Sequence, residues 1–104
     1  MMQPFLLDIV ELLVNLPEYH LFSGEQGTIV ECYDENHFEV EFINDAGETT
    51  ALCPLSTQQF IVVWKANTKQ WLTTADKMTA MIEHLSEEKC QEVFDFARFI
   101  HQRA

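Results

Sequence analysis

Between Gly24 and Glu48 the chain reads GEQGTIVECYDENHFEVEFINDAGE, and this stretch restricts the fold more than any other. Phe38, Val40 and Phe42 alternate with His37, Glu39 and Glu41, the period of a strand with one dry face and one wet face. Thr28–Tyr33 reads as its partner strand, and Asp34, Glu35 and Asn36 leave room only for a tight polar turn between the two. The pair is a β-hairpin, entered through Gly24 and Gly27, and its apolar face needs further strands to cover it.

The flanks supply them. Phe5 to Val14 is too densely apolar to show one clean period and admits helix or strand; bracketing by Pro4 and Pro17 favours a strand across Leu7–Leu13. Asn15 to His20 is an irregular loop, and Ser23 to Gly27 a diverging turn whose glycines permit positive φ. After the hairpin, Asn44 to Gly47 turns the chain into a third meander strand, Glu48–Cys53, which Pro54 stops because it has no N–H to donate. Leu55 to Phe60 reads as a single helical turn and Ile61–Trp64 as the closing strand. The expected class is mainly β with an α appendage: a small SH3-like five-stranded barrel over residues 1–66, then a C-terminal helical hairpin over 67–104.

In that tail, residues 65–72 form a polar bridge anchored by Trp71. Thr73 or Thr74 caps a first helix over about 75–85, with Met78, Met81, Ile82 and Leu85 at helical spacing. Ser86 caps a second helix over 87–102, whose Glu87 and Glu88 meet the positive end of the dipole. Its stripe is Cys90, Val93, Phe94, Ala97 and Ile100, widened by Phe96 and Phe99 on two sides.

Charge excludes more than it assigns. Of the 17 acids behind the net charge of −11, eleven lie in residues 1–64, which contain no Lys or Arg; residues 65–104 balance six acids with six bases. A surface without cations cannot neutralise phosphates, so nucleic-acid binding is disfavoured, whereas a basic protein would be steered toward it. No apolar run is long enough to span a bilayer and no secretion signal is visible, which places the chain in the cytoplasm. Cys32, Cys53 and Cys90 are odd in number and widely spaced, so they are expected as core residues, without a disulfide framework or zinc site.

No catalytic constellation emerges. His20, His37, His84 and His101 lack partners at metal-ligand spacing, and Cys53 has no assigned base or oxyanion hole. No metal or cofactor is expected. The candidate surfaces are therefore binding surfaces. Glu31, Glu39 and Glu41 should share the wet face of the hairpin, joined by Glu48 if the strands pair in simple meander order. Tyr19, His20, Phe22 and Tyr33 flank the diverging turn, where SH3-like barrels place an aromatic groove, unless Phe22 plugs the barrel end. Val93, Phe94, Phe96, Phe99 and Ile100 make the second helix too apolar to stand in water, so it must bury against the barrel, a second copy or a partner; self-association plus partner binding is preferred, because so small a barrel is filled by its own strands.

The leading L-D-x-V-x-L-L, the N-L-P-E loop, the G-x-x-G-T-I-V entry, the E-V-E-F strand and the D-x-G-E-T turn resemble the bacterial family of unknown function 4926, over roughly residues 6 to 60. The resemblance implies a compact barrel distantly like SH3 and KOW modules, and brings no catalytic residues. The tail MIEHLSEEKCQEVFDFARFIHQRA is similar to the helical segment of the family of unknown function 2281, some of whose members are described as antitoxin-like; Ser86 stands where that pattern usually has proline. The expected function is a non-enzymatic protein-interaction module, antitoxin- or immunity-like, with an acidic barrel for a basic partner and a helical tail for homo-oligomerisation. The alternative is a KOW-like nucleic-acid or translation accessory.

Overall fold

The computed structural model describes residues 3–103. Six strands, β1 (Ile9–Leu12), β2 (Gln26–Cys32), β3 (His37–Ile43), β4 (Thr49–Ser56), β5 (Phe60–Lys65) and β6 (Gln70–Trp71), precede two helices, α1 (Thr74–Ile82) and α2 (Glu87–Gln102). Neighbouring strands all run antiparallel, in the order β4-β3-β2-β1-β5-β6. The mainly β class with two C-terminal helices is as the alternation implies. The expectation of a closed five-stranded barrel is not met, because the sheet is open, with β4 and β6 as its edges.

Four local readings change, each for a physical reason. Residues 65–72 form more than a bridge: Lys69, in the left-handed region at φ 55°, turns the chain back so that Trp71 pairs with Trp64, their rings 6.4 Å apart. Pro54 does not stop β4, since an edge strand uses only alternate N–H groups, and the ladder continues through Leu55 opposite Phe38 to Ser56 opposite His37. The segment Leu55 to Phe60 holds the end of β4, a turn and the start of β5; the short helical turn lies instead at Pro17–Tyr19, where proline occupies a first-turn position. The first strand is shorter than Leu7–Leu13, because Leu7 sits at φ 70° in a turn and cannot continue a ladder.

The core lies on one face of the sheet. Val10 and Leu12 of β1, Ile29 of β2, Phe38, Val40 and Phe42 of β3, Cys53 and Leu55 of β4 and Phe60 and Val62 of β5 form one cluster, with Phe38 edge-on to Phe60. The β1–β2 loop folds over it, burying Leu16 and Leu21, which pair as an isolated bridge. β5 is covered on both faces: Phe60 and Val62 enter the core, while Ile61 and Val63 are buried on the opposite side, where α1 lies against the strand. Gly24 has φ +97°, as the diverging turn requires, but Gly27 serves close approach: a Cβ there would sit 2.7 Å from Val40 Cγ1 and 2.9 Å from the Glu41 carbonyl oxygen.

The start of β1 and the end of β5 are fastened together by a buried ion pair that composition does not advertise. Asp8 is fully buried and accepts from Lys65 Nζ at 2.7 Å and from the backbone N–H groups of Phe5 and Ala66 at 2.9 and 2.8 Å. Lys65 Nζ also donates to the Gln3 carbonyl and lies 4.8 Å from the Phe5 ring centroid. Removing one member of such a pair strands a buried charge, at a typical cost of about 3–5 kcal/mol. Thermal unfolding should show Asp8→Asn and Lys65→Met each strongly destabilising, and the double variant losing less than the sum of the two. Additive losses would contradict a direct pairing.

Candidate protein-interaction surfaces

The outer face of β2 and β3 collects the acids. Glu31 stands directly opposite Glu39 after a register shift, and Glu41 opposite Thr28, so two carboxylates meet across one strand pair with no cation between them. Like charges in that relation repel. Glu39 takes a hydrogen bond from the Tyr33 hydroxyl on Oε2, at 3.1 Å, while its Oε1 is shielded and has no hydrogen-bond partner among the described residues. Partial desolvation, the bond to Glu39 and the charges of Glu39 and Glu31 together push the Tyr33 phenol up from its ordinary value. Glu41 accepts from Thr49 Oγ1 at 2.6 Å, and Glu48 is held at the β3–β4 turn by Asn44. The first basic residue of the chain, Lys65, is buried against Asp8 and adds nothing to this surface.

The aromatic groove expected from Tyr19, His20, Phe22 and Tyr33 is not assembled. Phe22 precedes β2 and Tyr33 follows it, so the length of the strand separates them. Tyr19 packs against the core from the helical turn, and the Phe22 ring is exposed and plugs nothing. His20 takes a left-handed backbone at the end of that turn.

The remaining histidines have structural partners or lie on the surface. His37 Nδ1 approaches both Asp34 oxygens, at 2.9 and 3.0 Å, bracing the hairpin turn; the Asn36 N–H and His37 hold the Asp34 carboxyl below the usual carboxylate range. His84 was not singled out by its sequence surroundings, yet it joins α1 to the sheet. Its Nε2 lies 2.8 Å from the Thr57 carbonyl oxygen and its Nδ1 3.0 Å from that of Ala80. A singly protonated ring donates to only one of these at a time. His101 is exposed in the last turn of α2. Among the described residues no group of three or more His, Cys, Asp or Glu side chains could hold a metal ion.

All three cysteines are free thiols, and they differ from the expectation that they fill the core. Cys53 does so, whereas Cys90 is half-buried and Cys32, at the end of β2 beyond the register shift, is exposed. Burial, with the charges of Glu39 and Glu18, pushes the Cys53 thiol up and keeps it from the nucleophilic thiolate form.

The helices form the second surface. Thr73 caps α1 and Ser86 caps α2, accepting from the N–H groups of Asp76 and Lys89; α1 ends at Ile82, short of the 75–85 expected, and α2 spans 87–102 as read. No residue of α2 is fully buried, and the helix shares no extensive contact with any strand. Val93 and Phe94 line a groove of about 350 Å³ against Met78 and Ile82 of α1, and Phe94 stays as exposed as Phe99; Phe96, Phe99 and Ile100 lie outside that groove. A smaller cleft of about 90 Å³ lies where α1 meets β5, between Pro4, Leu72 and His84.

Residues 6–62, more than half of the chain, match the family described as Domain of unknown function (DUF4926). The chain belongs to that family. No curated protein and no solved structure matches it. The DUF4926 match ends inside β5, so both helices lie beyond it.

Thiol labelling of the native protein should proceed with Cys32 fast, Cys90 slower and Cys53 silent until denaturant is added. Ready labelling of Cys53 in the folded state would contradict its placement.

Proposed function

We propose that this DUF4926 protein is a non-enzymatic protein-interaction module whose acidic sheet receives a basic partner and whose helical tail mediates association. The observation that carries this reading is the Glu31–Glu39 pairing on a face without an exposed cation. Repulsion of this kind costs the free protein stability and is relieved when a cation from a partner comes between the two carboxylates, which supports reading the face as a recognition surface. The strand order β4-β3-β2-β1-β5 supports reading the sheet as an unclosed relative of the SH3-like meander. The tail's likeness to an antitoxin-like segment supports an antitoxin or immunity role within a two-component system. A small protein with an exposed free thiol at Cys32 fits the reducing cytoplasm.

Glu31→Gln should raise the melting temperature slightly, by the equivalent of about 0.5 kcal/mol, while weakening binding to polylysine or to a basic protein captured from the host. RNA and DNA should give no electrophoretic shift at about 50 mM salt. A salt-sensitive shift by RNA, with no response to polylysine, would overturn the proposal in favour of a nucleic-acid accessory.

A further inference from the structure

α2 carries two apolar faces. One, through Cys90, Val93, Phe94 and Ala97, looks toward α1 across the interhelical groove. The other runs through Phe96 and Phe99, which are 62 % and 57 % exposed and stack with their ring centroids 6.2 Å apart. Along this second face Glu92, Phe96 and Phe99, and then Arg103, the residue that caps the helix just past Gln102, follow at intervals of four, three and four residues, the seam spacing of a helix-to-helix contact. The series is also symmetric about the midpoint between Ala97 and Arg98, with Phe96 and Phe99 inside and opposite charges outside.

We propose that this seam docks a second copy of the chain, whose α2 lies antiparallel across it about a twofold axis. Phe96 then meets the partner's Phe99, and Glu92 meets the partner's Arg103, each contact occurring twice. This deepens the proposed interaction role and rests on it for the tail alone.

Three observations select this occupant and this direction. Glu92 and Arg103 take part in no intramolecular salt bridge among the described residues, so both are free to pair outward. The first half of α2 is acidic on balance, with Glu87, Glu88 and Glu92 against Lys89, and its end is basic on balance, with Arg98 and Arg103 against Asp95, which lies 4.0 Å from Arg98. An antiparallel copy therefore sets opposite charges and opposed helix dipoles side by side, while a parallel copy would set like on like. Phe96, Phe99 and Ile100 stay 62 %, 57 % and 43 % exposed, one apolar patch that the same patch of a second copy covers about a twofold axis.

Sedimentation velocity across a wide concentration range tests the arrangement. The natural sequence should dimerise reversibly, and Phe96→Ser should abolish dimers without loss of helical circular dichroism, since Phe96 is exposed. Glu92→Arg alone and Arg103→Glu alone should each weaken the dimer by roughly tenfold or more, through like-charge contacts made twice. Dimerisation should return when the two single variants are mixed, and also in the double variant. A chain that stays monomeric at every concentration overturns the inference, as does a dimer indifferent to both charge reversals. If such a monomer still bound polylysine through the Glu31 face, the acidic-sheet reading would stand and only the tail assignment would fall.

Discussion

The carboxylate of Asp8 is the buried charge around which the N-terminal turn, β1 and β5 are joined. β1 pairs with both β2 and β5, so the placement of its first residues bears on two ladders. Asp8 fixes them by accepting from Phe5, Ala66 and Lys65 at once, gathering the N-terminal turn, the start of β1 and the end of β5 around one buried charge. The same bond has an electrostatic consequence. It withdraws from the surface the first cation of the chain, so the sheet faces solvent with carboxylates and no exposed Lys or Arg before Lys69.

That leaves a molecule with two unlike halves. The sheet is nearly self-sufficient: the β1–β2 loop caps its core and α1 covers β5, with His84 tying the helix to the β4–β5 turn. α2 has no such cover. The radius of gyration, 15.1 Å, exceeds the ~13 Å usual for a compact chain of this length, as a projecting helix requires. An acidic body with its own buried core, carrying a helix that buries none of its residues, is suited to meeting other polypeptides.

Much of this was legible in the sequence where one pattern dominated. The alternation at Phe38, Val40 and Phe42 gave β3 its bounds, and Ser86 followed by Glu87 and Glu88 gave α2 its start. What misled was local chemistry overruled at long range. Leu7 reads as the first residue of a strand over Leu7–Leu13, yet Asp8 captures the Phe5 N–H and bends Phe5 to Leu7 into a turn that leaves all three exposed. Pro54 looks like a stop until β4 proves to be an edge. The facing of Glu31 and Glu39 depends on a register shift that no periodicity reveals, and the Tyr19–Phe22–Tyr33 groove assumed a closure that an open sheet does not make. Asp8 and Lys65, 57 residues apart, share no signal along the chain.

The central claim is that the sheet is complete in one copy whereas α2 is not, and amide hydrogen exchange as a function of protein concentration tests it most directly. Amides of β1, β3 and β5 should be strongly protected at every concentration, while those of α2 exchange rapidly in dilute solution and gain protection as concentration rises. Protection of α2 equal to that of β1 in the most dilute sample would show that the helix is already satisfied within a single chain, and would contradict the account.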